Sequence, residues 1–250
     1  MSLFLRSLRA RLLQSGARRY LLYALGEIVL IVLGILLALQ INNANVARGE
    51  RQRETKYLRS IRLDLQKDLD SLRYQVEYRE RRMAATRRLL AAMGGESLSV
   101  QELAESVVLT LYEERFTPSN VTVKDLIGSG NMNLITAAAI KEALFDLELL
   151  YQTNHSYIDH ETFEYREFVA RSIYVHADLE RLKPVFLGEK TAADVGLAVD
   201  DFTELLRDAT YKNGCVVAIW TSEEFVGLYR TLQQTSQRVI DLIDAELAKR

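Results

Sequence analysis

Two stretches of this 250-residue chain carry side chains whose types and spacing could support chemistry. The first is NHSYIDHETFEYREF, residues 154–168, where His155 precedes Asp159 by four positions. His160 precedes Glu164 by the same interval. On a helix, such pairs lie on one face, and imidazole and carboxylate groups there could hold a metal ion. The alternative is a solvated charged face. The sequence favours that alternative, because di-iron bundles use Glu-x-x-His motifs and this chain contains none.

The second stretch is an apolar run that contains one carboxylate, Glu27. The segment YALGEIVLIVLGILLALQINN covers residues 23–43. The apolar run from Tyr20 to Ile41 spans roughly 33 Å as a helix, enough to cross a bilayer core of about 30 Å. A signal peptide has a shorter apolar core that ends at a cleavage site, and a buried core helix is the other alternative. The run predicts an uncleaved signal anchor that crosses the membrane once.

Glu27 lies on a row of residues spaced alternately by three and four positions. This helix-packing seam consists of Tyr20, Tyr23, Glu27, Leu30, Gly34, Leu37 and Ile41, with Ala38 beside it. Gly34 and Ala38 form a small-xxx-small pair, which lets transmembrane backbones approach closely. A single span has no second helix of its own chain to pack on, so the seam predicts a homo-oligomer. Two alternatives stay open: Glu27 reaches toward the nearer membrane interface, or it serves ion or proton conduction in the oligomer.

Basic residues flank the predicted span. Residues 1–19 form a basic amphipathic segment that ends in Arg18 and Arg19, and Asn42 with Asn43 marks the opposite interface. Residues 1–60 carry a net charge of +7 and residues 61–250 a net charge of −9. The acidic distal part argues against nucleic acid as a partner, whereas the basic end fits an anionic bilayer. Both flanks carry five basic residues, but Arg18 and Arg19 abut the span. This favours a cytoplasmic N-terminus and a periplasmic C-terminal domain in a bacterial inner membrane.

The remaining sequence predicts an all-α protein in which the transmembrane helix continues toward an elongated extramembrane helical bundle. We expect a juxtamembrane stalk over residues 42–57 and a bundle over 58–250, with coiled-coil-like packing of the long helices. The apolar stripe that starts at Leu58 ends at Gly94-Gly95. The pair Ser99 and Glu102 predicts a capping box at the start of the next helix.

Further helix boundaries follow from caps and breakers. One helix is predicted from Ser99 to about Glu114, a short one from Thr117-Pro118 to Gly128, and the longest from Thr136 to about Leu182. A further helix is expected from Asp201 to Lys212, with Asn213-Gly214 as its end and a new capping box at Thr221 and Glu224. CVVAIW, residues 215–220, is of ambiguous type, and its single Cys215 excludes an intramolecular disulfide.

Three segments together resemble a family of uncharacterised bacterial single-span membrane proteins. They are YLLYALGEIVLIVLGILLALQINN, ETKYLRSIRLDL and LIGSGNMNLI, and the resemblance covers nearly the whole chain. A Trp often follows the Asn pair in that family, whereas this chain has Ala44 there. The resemblance implies a helical C-terminal domain and an envelope location. It implies no reaction and no ligand, so it assigns no functional residues.

The chain contains no catalytic motif that we can identify, and we therefore expect a protein that is not an enzyme and needs no cofactor. The first hypothesis is a self-associating scaffold, sensor or interaction module of the envelope whose partner is an envelope protein or a small ligand. The second is an ion- or proton-conducting oligomer that uses Glu27. A metalloenzyme built on His155, Asp159, His160 and Glu164 is a distant third.

Overall fold

The computed structural model describes residues 15–249, with side chains from Arg19 onward. The protein is all-α, as predicted, and the described residues contain no β-strand. The first helix, α1, runs from Ser15 to Met93. The described residues fall into two compact units that divide after Thr55.

The first unit consists of the part of α1 that precedes Lys56. This is the one helix among residues 15–249 that is long and apolar enough to cross a membrane, judged by length and composition. None of the residues in its most apolar 18-residue window is buried. The predicted amphipathic segment 1–19 lies largely outside the described residues.

The second unit packs the remainder of α1 with seven further helices. They are α2 (Val100–Leu111), α3 (Val121–Gly128), α4 (Ala138–Glu164), α5 (Arg171–His176), α6 (Leu179–Phe186), α7 (Thr203–Arg207) and α8 (Ala209–Leu247). A π-helical segment, Tyr165–Ala170, joins α4 to α5. Short 3₁₀ turns occupy Asn131–Leu134 and Val199–Phe202.

Two apolar clusters form the core of this unit. The larger cluster gathers α1, α4 and α8 around residues such as Leu65, Leu144 and Phe225. The smaller one packs α2, the π segment and the short helices around Leu89, Val107 and Phe202. The predicted apolar stripe of α1 is thus confirmed from Leu58 onward, because it supplies one wall of the larger cluster.

The end of α1 and the start of α2 follow the predicted signals. Met93 is the last residue of α1, and Gly95 adopts the left-handed conformation with φ of +100°. Glycine populates that region without a steric penalty, which explains the stop. At α2, the Ser99 hydroxyl accepts from the Glu102 backbone N–H, and the Ser99 N–H donates to the Glu102 carboxylate at 2.9 Å. The capping box is therefore present.

The predicted limits of the middle helices are wrong in several places. The helix that starts at Ser99 ends at Leu111, and the short helix before Gly128 begins only at Val121. The longest predicted helix does not reach Leu182 without interruption. It passes into the π segment at Tyr165 and breaks at Ala177, where the backbone is extended. The Asp178 carboxylate then accepts from the Glu180 and Arg181 N–H groups and starts α6, which contains Pro184.

The largest correction concerns α8. Asn213-Gly214 does not end a helix, and Thr221 with Glu224 does not begin one, because α8 runs through both sites. Its N-terminus lies at Asp208, whose carboxylate accepts from the Thr210 N–H at 2.8 Å. Gly214 instead allows close packing: a Cβ at this position would lie 2.9 Å from the Cβ of Phe168 in the π segment. A tertiary contact therefore explains why Gly214 is a glycine, although the sequence alone predicts a helix end there.

Candidate functional site

The predicted packing seam lies on an exposed face of α1. Its apolar and aromatic members keep between 59% and 80% of their surface exposed, with Tyr23 at the top of that range. Glu27, Gly34 and Ala38 are exposed as well. These side chains are not buried by any other described residue, so contacts within the described part of the chain do not explain their spacing. A role of the seam in contacts with another molecule therefore stays a prediction.

Gly26 opens a shallow groove beside Glu27. The groove is lined by Arg19, Leu22, Tyr23, Gly26, Glu27 and Leu30. Apart from the two neighbouring residues and the helix backbone, no described heavy atom lies within 4 Å of where a Cβ on Gly26 would be. Neither Tyr23 nor Glu27 forms a hydrogen bond with another described residue. The groove thus combines a phenol donor, a carboxylate and a guanidinium at the edge of an apolar face.

The predicted interface anchors lie at both ends of this apolar face. Arg19 is exposed, whereas the side chain of Arg18 lies outside the described part of the chain. Asn42 and Asn43 are exposed at the other end. The role of these four residues as anchors at the membrane interfaces stays a prediction.

The metal candidates of α4 form two separate pairs. His155 Nε2 lies 3.8 Å from Asp159 Oδ2, and His160 Nδ1 lies 3.5 Å from Glu164 Oε1. Each pair supplies two possible ligands, whereas a protein zinc site uses three or four. Within residues 15–249 no three such side chains converge. The Glu164 carboxylate also accepts a hydrogen bond from the Thr221 hydroxyl at 3.1 Å, which ties it to α8.

The structure reveals a buried charged centre that the sequence analysis missed. Arg79 and Arg82 of α1 are 1% and 2% exposed, and Glu161 of α4 is 3% exposed. Both terminal nitrogens of Arg79 donate to the Glu161 carboxylate, and Arg82 Nη1 donates to Glu161 Oε1 at 2.9 Å. The Arg79 guanidinium also lies over the Phe225 ring of α8, 4.1 Å from its centroid. One carboxylate therefore holds two guanidinium groups between three helices.

Electrostatics at this centre keep Glu161 ionised. Burial by itself would raise the pKa of the Glu161 carboxyl, but the hydrogen bonds and charges of Arg79 and Arg82 outweigh it, and the pKa lies below its usual value. Burial also raises the pKa of the nearby Tyr78 phenol to about 12. Tyr78 donates its hydroxyl proton to the backbone oxygen of Tyr112. A carboxylate committed to two cations is a poor general base, so the geometry indicates a structural role.

The charged centre belongs to a buried polar column on α1. The column consists of Asp68, Gln75, Arg79, Arg82 and Thr86, all at most 4% exposed. Their spacing of seven, four, three and four positions is the same heptad-like pattern that the buried leucines follow. Sequence reasoning counted only apolar residues in that pattern. The signal in the sequence that could have revealed the column is that these polar residues recur at the same spacing as the buried leucines of α1.

Asp68 at one end of the column gives a pH-dependent prediction. Its carboxylate accepts from the Ser119 N–H at 2.7 Å and from the Tyr151 hydroxyl at 2.6 Å. Burial is the largest influence and raises the pKa of Asp68. A folded-state pKa above the unfolded value of about 3.9 means that stability is lost as pH rises through the folded pKa. In Asp68→Asn that loss disappears, while the amide can still accept from Ser119 and donate to the Tyr151 oxygen.

We therefore expect Asp68→Asn to gain stability relative to the wild type as pH rises from 3 to 7. Urea unfolding of the full chain in detergent at a series of pH values measures this difference. Asp68→Ala separates charge from hydrogen bonding, because it removes the acceptor of both hydrogen bonds, at a cost of about 1–3 kcal/mol. A stability difference between the wild type and Asp68→Asn that does not change with pH would contradict the prediction.

Three other features of the sequence have structural surroundings: Cys215, the segment LIGSGNMNLI and the aromatic residues of the longest predicted helix. Cys215 is fully buried, and burial raises the pKa of its thiol to about 12, so no reactive thiolate forms at neutral pH. In LIGSGNMNLI, Gly128 ends α3 and Gly130 adopts φ of +70°, which agrees with a helix end. The aromatic residues of the longest predicted helix divide, with Tyr151 buried and Phe163, Phe168 and Tyr174 exposed.

Comparison of the chain with protein-family models, with curated proteins and with solved structures found no match. A function must therefore be argued from the residues of this chain.

Proposed function

We propose that this protein is a membrane-anchored, non-catalytic helical protein of the bacterial envelope that self-associates and acts as a scaffold, sensor or interaction module. One observation carries the proposal. The apolar face of α1 between Tyr20 and Ile41 is exposed, and no residue of its most apolar window is buried. An apolar surface of this extent is far larger than a soluble monomer exposes, and hydrocarbon is the solvent that favours it.

Self-association is the second part of the proposal. The seam side chains have no partner within the described chain, although Glu27 is a polar group at membrane depth. Polar groups in hydrocarbon need hydrogen-bond partners, and they typically face a helix interface or an aqueous path. Gly34 and Ala38 supply the small surfaces that a close helix contact uses. Together these features support an oligomer formed through the span.

The mass of the full chain in nanodiscs tests this proposal directly. We expect a defined oligomer in the wild type and a weaker one in Glu27→Gln, because the variant replaces the stronger carboxylate acceptor. Leu36→Ala is a suitable control, since Leu36 is 54% exposed on the same helix but lies off the seam. A wild-type monomer in nanodiscs would overturn the self-association proposal.

The groove beside Glu27 favours one alternative function, an oligomer that conducts ions or protons. An exposed carboxylate next to a glycine notch is the kind of group that lines intramembrane ion paths. Conductance across a planar bilayer that Glu27→Gln reduces would support it. Absence of conductance from a confirmed oligomer would leave the scaffold or sensor function as the proposal.

Orientation in the inner membrane is part of the proposal and needs its own measurement. Arg18 and Arg19 directly precede the apolar run and argue for a cytoplasmic N-terminus and a periplasmic helical domain. We expect a C-terminal fusion to a phosphatase that is active only in the periplasm to show activity. Replacing Arg18 and Arg19 with Gln should lower that activity, whereas an inactive wild-type fusion would indicate the opposite orientation.

A further inference from the structure

Residues 112–120, which we call the strap, connect α2 to α3 without forming a helix. Phe116 of the strap is 1% exposed and belongs to the larger core cluster. The centroid of its ring lies 6.2 Å from that of Tyr151 in α4 and 5.9 Å from that of Tyr229 in α8. Within the described part of the chain, residues 113–119 form no backbone-to-backbone hydrogen bond. The strap is therefore held to the bundle by side chains.

Asp68 and Asn154 bind the backbone of the strap from two different helices. The Asp68 carboxylate of α1 accepts from the Ser119 N–H at 2.7 Å, and the Asn154 amide of α4 donates to the Phe116 carbonyl oxygen at 3.3 Å. Asp68 is 1% exposed, and Ser119 lies directly against it. Segments that few contacts hold open locally at a lower cost than packed helices. The strap can thus separate from the bundle without unwinding a helix, and its departure brings water to Asp68.

The carboxyl group of Asp68 is electrostatically disfavoured in its charged form while the strap covers it. Burial raises the pKa of Asp68, and the negative charge of Asp64 on the same helix adds to this effect. The hydrogen bonds from Tyr151 and Ser119 act in the opposite direction but do not cancel it. On α4, burial and the negative charges of Asp68 and Glu148 raise the pKa of the Tyr151 phenol, which stays protonated. The closed strap therefore favours the protonated form of Asp68.

Glu113 is a second carboxyl group of this kind, and it belongs to the strap itself. Its side chain is 11% exposed, and its Oε2 accepts from Arg115 Nη2 at 2.7 Å. Its Oε1 is buried and accepts no hydrogen bond from the described residues. Burial and the charge of Glu161 raise the pKa of Glu113, and the charges of Arg115 and Arg82 reduce this effect without removing it. The Tyr165 phenol also lies close enough to interact with the Glu113 charge.

We propose that the strap is a pH-controlled element that stays closed while Asp68 and Glu113 are protonated and opens more often once both are ionised. Both pKa values are raised in the closed state, so closure binds protons. Its stabilisation is fully present below the solvated pKa values of about 3.9 and 4.3, and it declines as pH rises through the closed-state values. Opening uncovers the buried polar column of α1 and the site that Phe116 occupies. The inference goes beyond the proposed function, because it requires neither the bilayer nor self-association.

Hydrogen exchange of the full chain in detergent, measured by mass spectrometry between about pH 4 and pH 8, tests this opening. The Ser119 N–H reports on the strap, because it donates to Asp68. Comparison of each exchange rate with that of an unstructured peptide at the same pH removes the pH dependence of the exchange chemistry. We expect the protection of a peptide that contains Ser119 to fall by about tenfold as pH rises, since a difference of about one pH unit between the closed and open pKa values of one carboxyl group has that effect. A peptide from the core of α8, residues 232–243, should lose less protection.

The double variant Asp68→Asn with Glu113→Gln removes both titrating groups and keeps their sizes and acceptor oxygens. Protection of its strap should lose most of its pH dependence. Glu114→Gln is the matched control, because Glu114 also lies in the strap but its carboxylate accepts from Tyr74, which is 44% exposed. This control should keep the pH dependence of the wild type.

Three results would overturn the inference. Protection of the wild-type strap that is constant with pH would show that ionisation of Asp68 and Glu113 does not open it. Equal losses in the strap and in the α8 peptide would show that the whole bundle unfolds and that the strap does not open by itself. A folded double variant with the pH dependence of the wild type would assign the effect to other groups. If the double variant does not fold, the comparison of the two wild-type peptides still decides between the expected result and the first two.

Discussion

Replacing Glu161 with glutamine is expected to lower the free energy of unfolding of the helical unit by about 3–5 kcal/mol. The variant keeps the size of the side chain but removes the negative charge that holds Arg79 and Arg82. Both guanidinium groups are at least 98% buried and would remain without a counter-ion in a medium that solvates them poorly. The decrease in the free energy of unfolding measures the cost of leaving the two buried guanidinium groups without a counter-ion.

Urea unfolding of the full chain in detergent, followed by circular dichroism, measures this change. The exposed pair of Arg87 and Glu223 provides a matched control. Its Nη2 to Oε1 distance of 2.9 Å equals that of the Arg82 contact, but its side chains are 56% and 55% exposed. Because water screens an exposed pair, Glu223→Gln should cost about 0–1 kcal/mol. Equal losses in the two variants would contradict a special role for the buried centre.

The dependence of stability on acidic pH gives a second measurement of the same buried charged centre. The folded-state pKa of Glu161 lies below its usual value, so its contribution is present above the unfolded pKa of about 4.3 and is lost as pH falls through the folded pKa. The difference between the wild type and Glu161→Gln should therefore stay constant from neutral pH to about 4.3 and shrink in stronger acid. A difference that shrinks on the alkaline side of that value would contradict the direction of the shift.

A triple replacement distinguishes packing from function. When Arg79, Arg82 and Glu161 are all replaced by methionine, no unpaired charge remains, and stability should return to or exceed the wild-type value. If the triple variant folds but loses a measurable activity of the full chain, the centre has a role beyond stability. If it is as unstable as Glu161→Gln, removing the unpaired charges does not restore stability, and the three original side chains contribute packing that methionine does not replace.

Gly214→Ala is expected to destabilise the protein by about 1–3 kcal/mol, although alanine favours a helix. The added Cβ would lie 2.9 Å from the Cβ of Phe168 and 3.1 Å from its carbonyl carbon and oxygen. Real Cβ atoms do not approach other atoms so closely, and the backbone of the π segment would have to move. Overpacking should therefore outweigh the gain in helix propensity.

Gly227→Ala is the matched control on the same helix. No heavy atom lies within 4 Å of a Cβ at Gly227, so this variant should gain about 0.5–1 kcal/mol from reduced backbone entropy. Thermal or urea unfolding of both variants in detergent therefore tests whether the same Gly-to-Ala change alters the free energy of unfolding in opposite directions at the two positions. Two changes of the same sign would show that the close approach of Phe168 does not control the effect.

The sequence alone predicts the features that depend on local pattern. A long apolar run with one charge predicts a helix with an exposed apolar surface. A run of this length and composition matches the hydrocarbon core of a bilayer. Apolar residues at helical spacing predict the all-α class, and the Gly94-Gly95 pair with the capping box at Ser99 predicts the turn after α1. These signals act over a few residues and need no knowledge of distant contacts.

The tertiary structure decides the features whose causes lie far away along the chain. Gly214 reads as a helix end until Phe168 is found against it, and Thr221 reads as a cap until its hydroxyl is found bonded to Glu164. The spacing of Arg79 and Arg82 fits the buried stripe of α1, but no local pattern reveals that Glu161, about 80 positions later, neutralises them. Burial of a charge depends on its partner, and the partner is brought there only by folding.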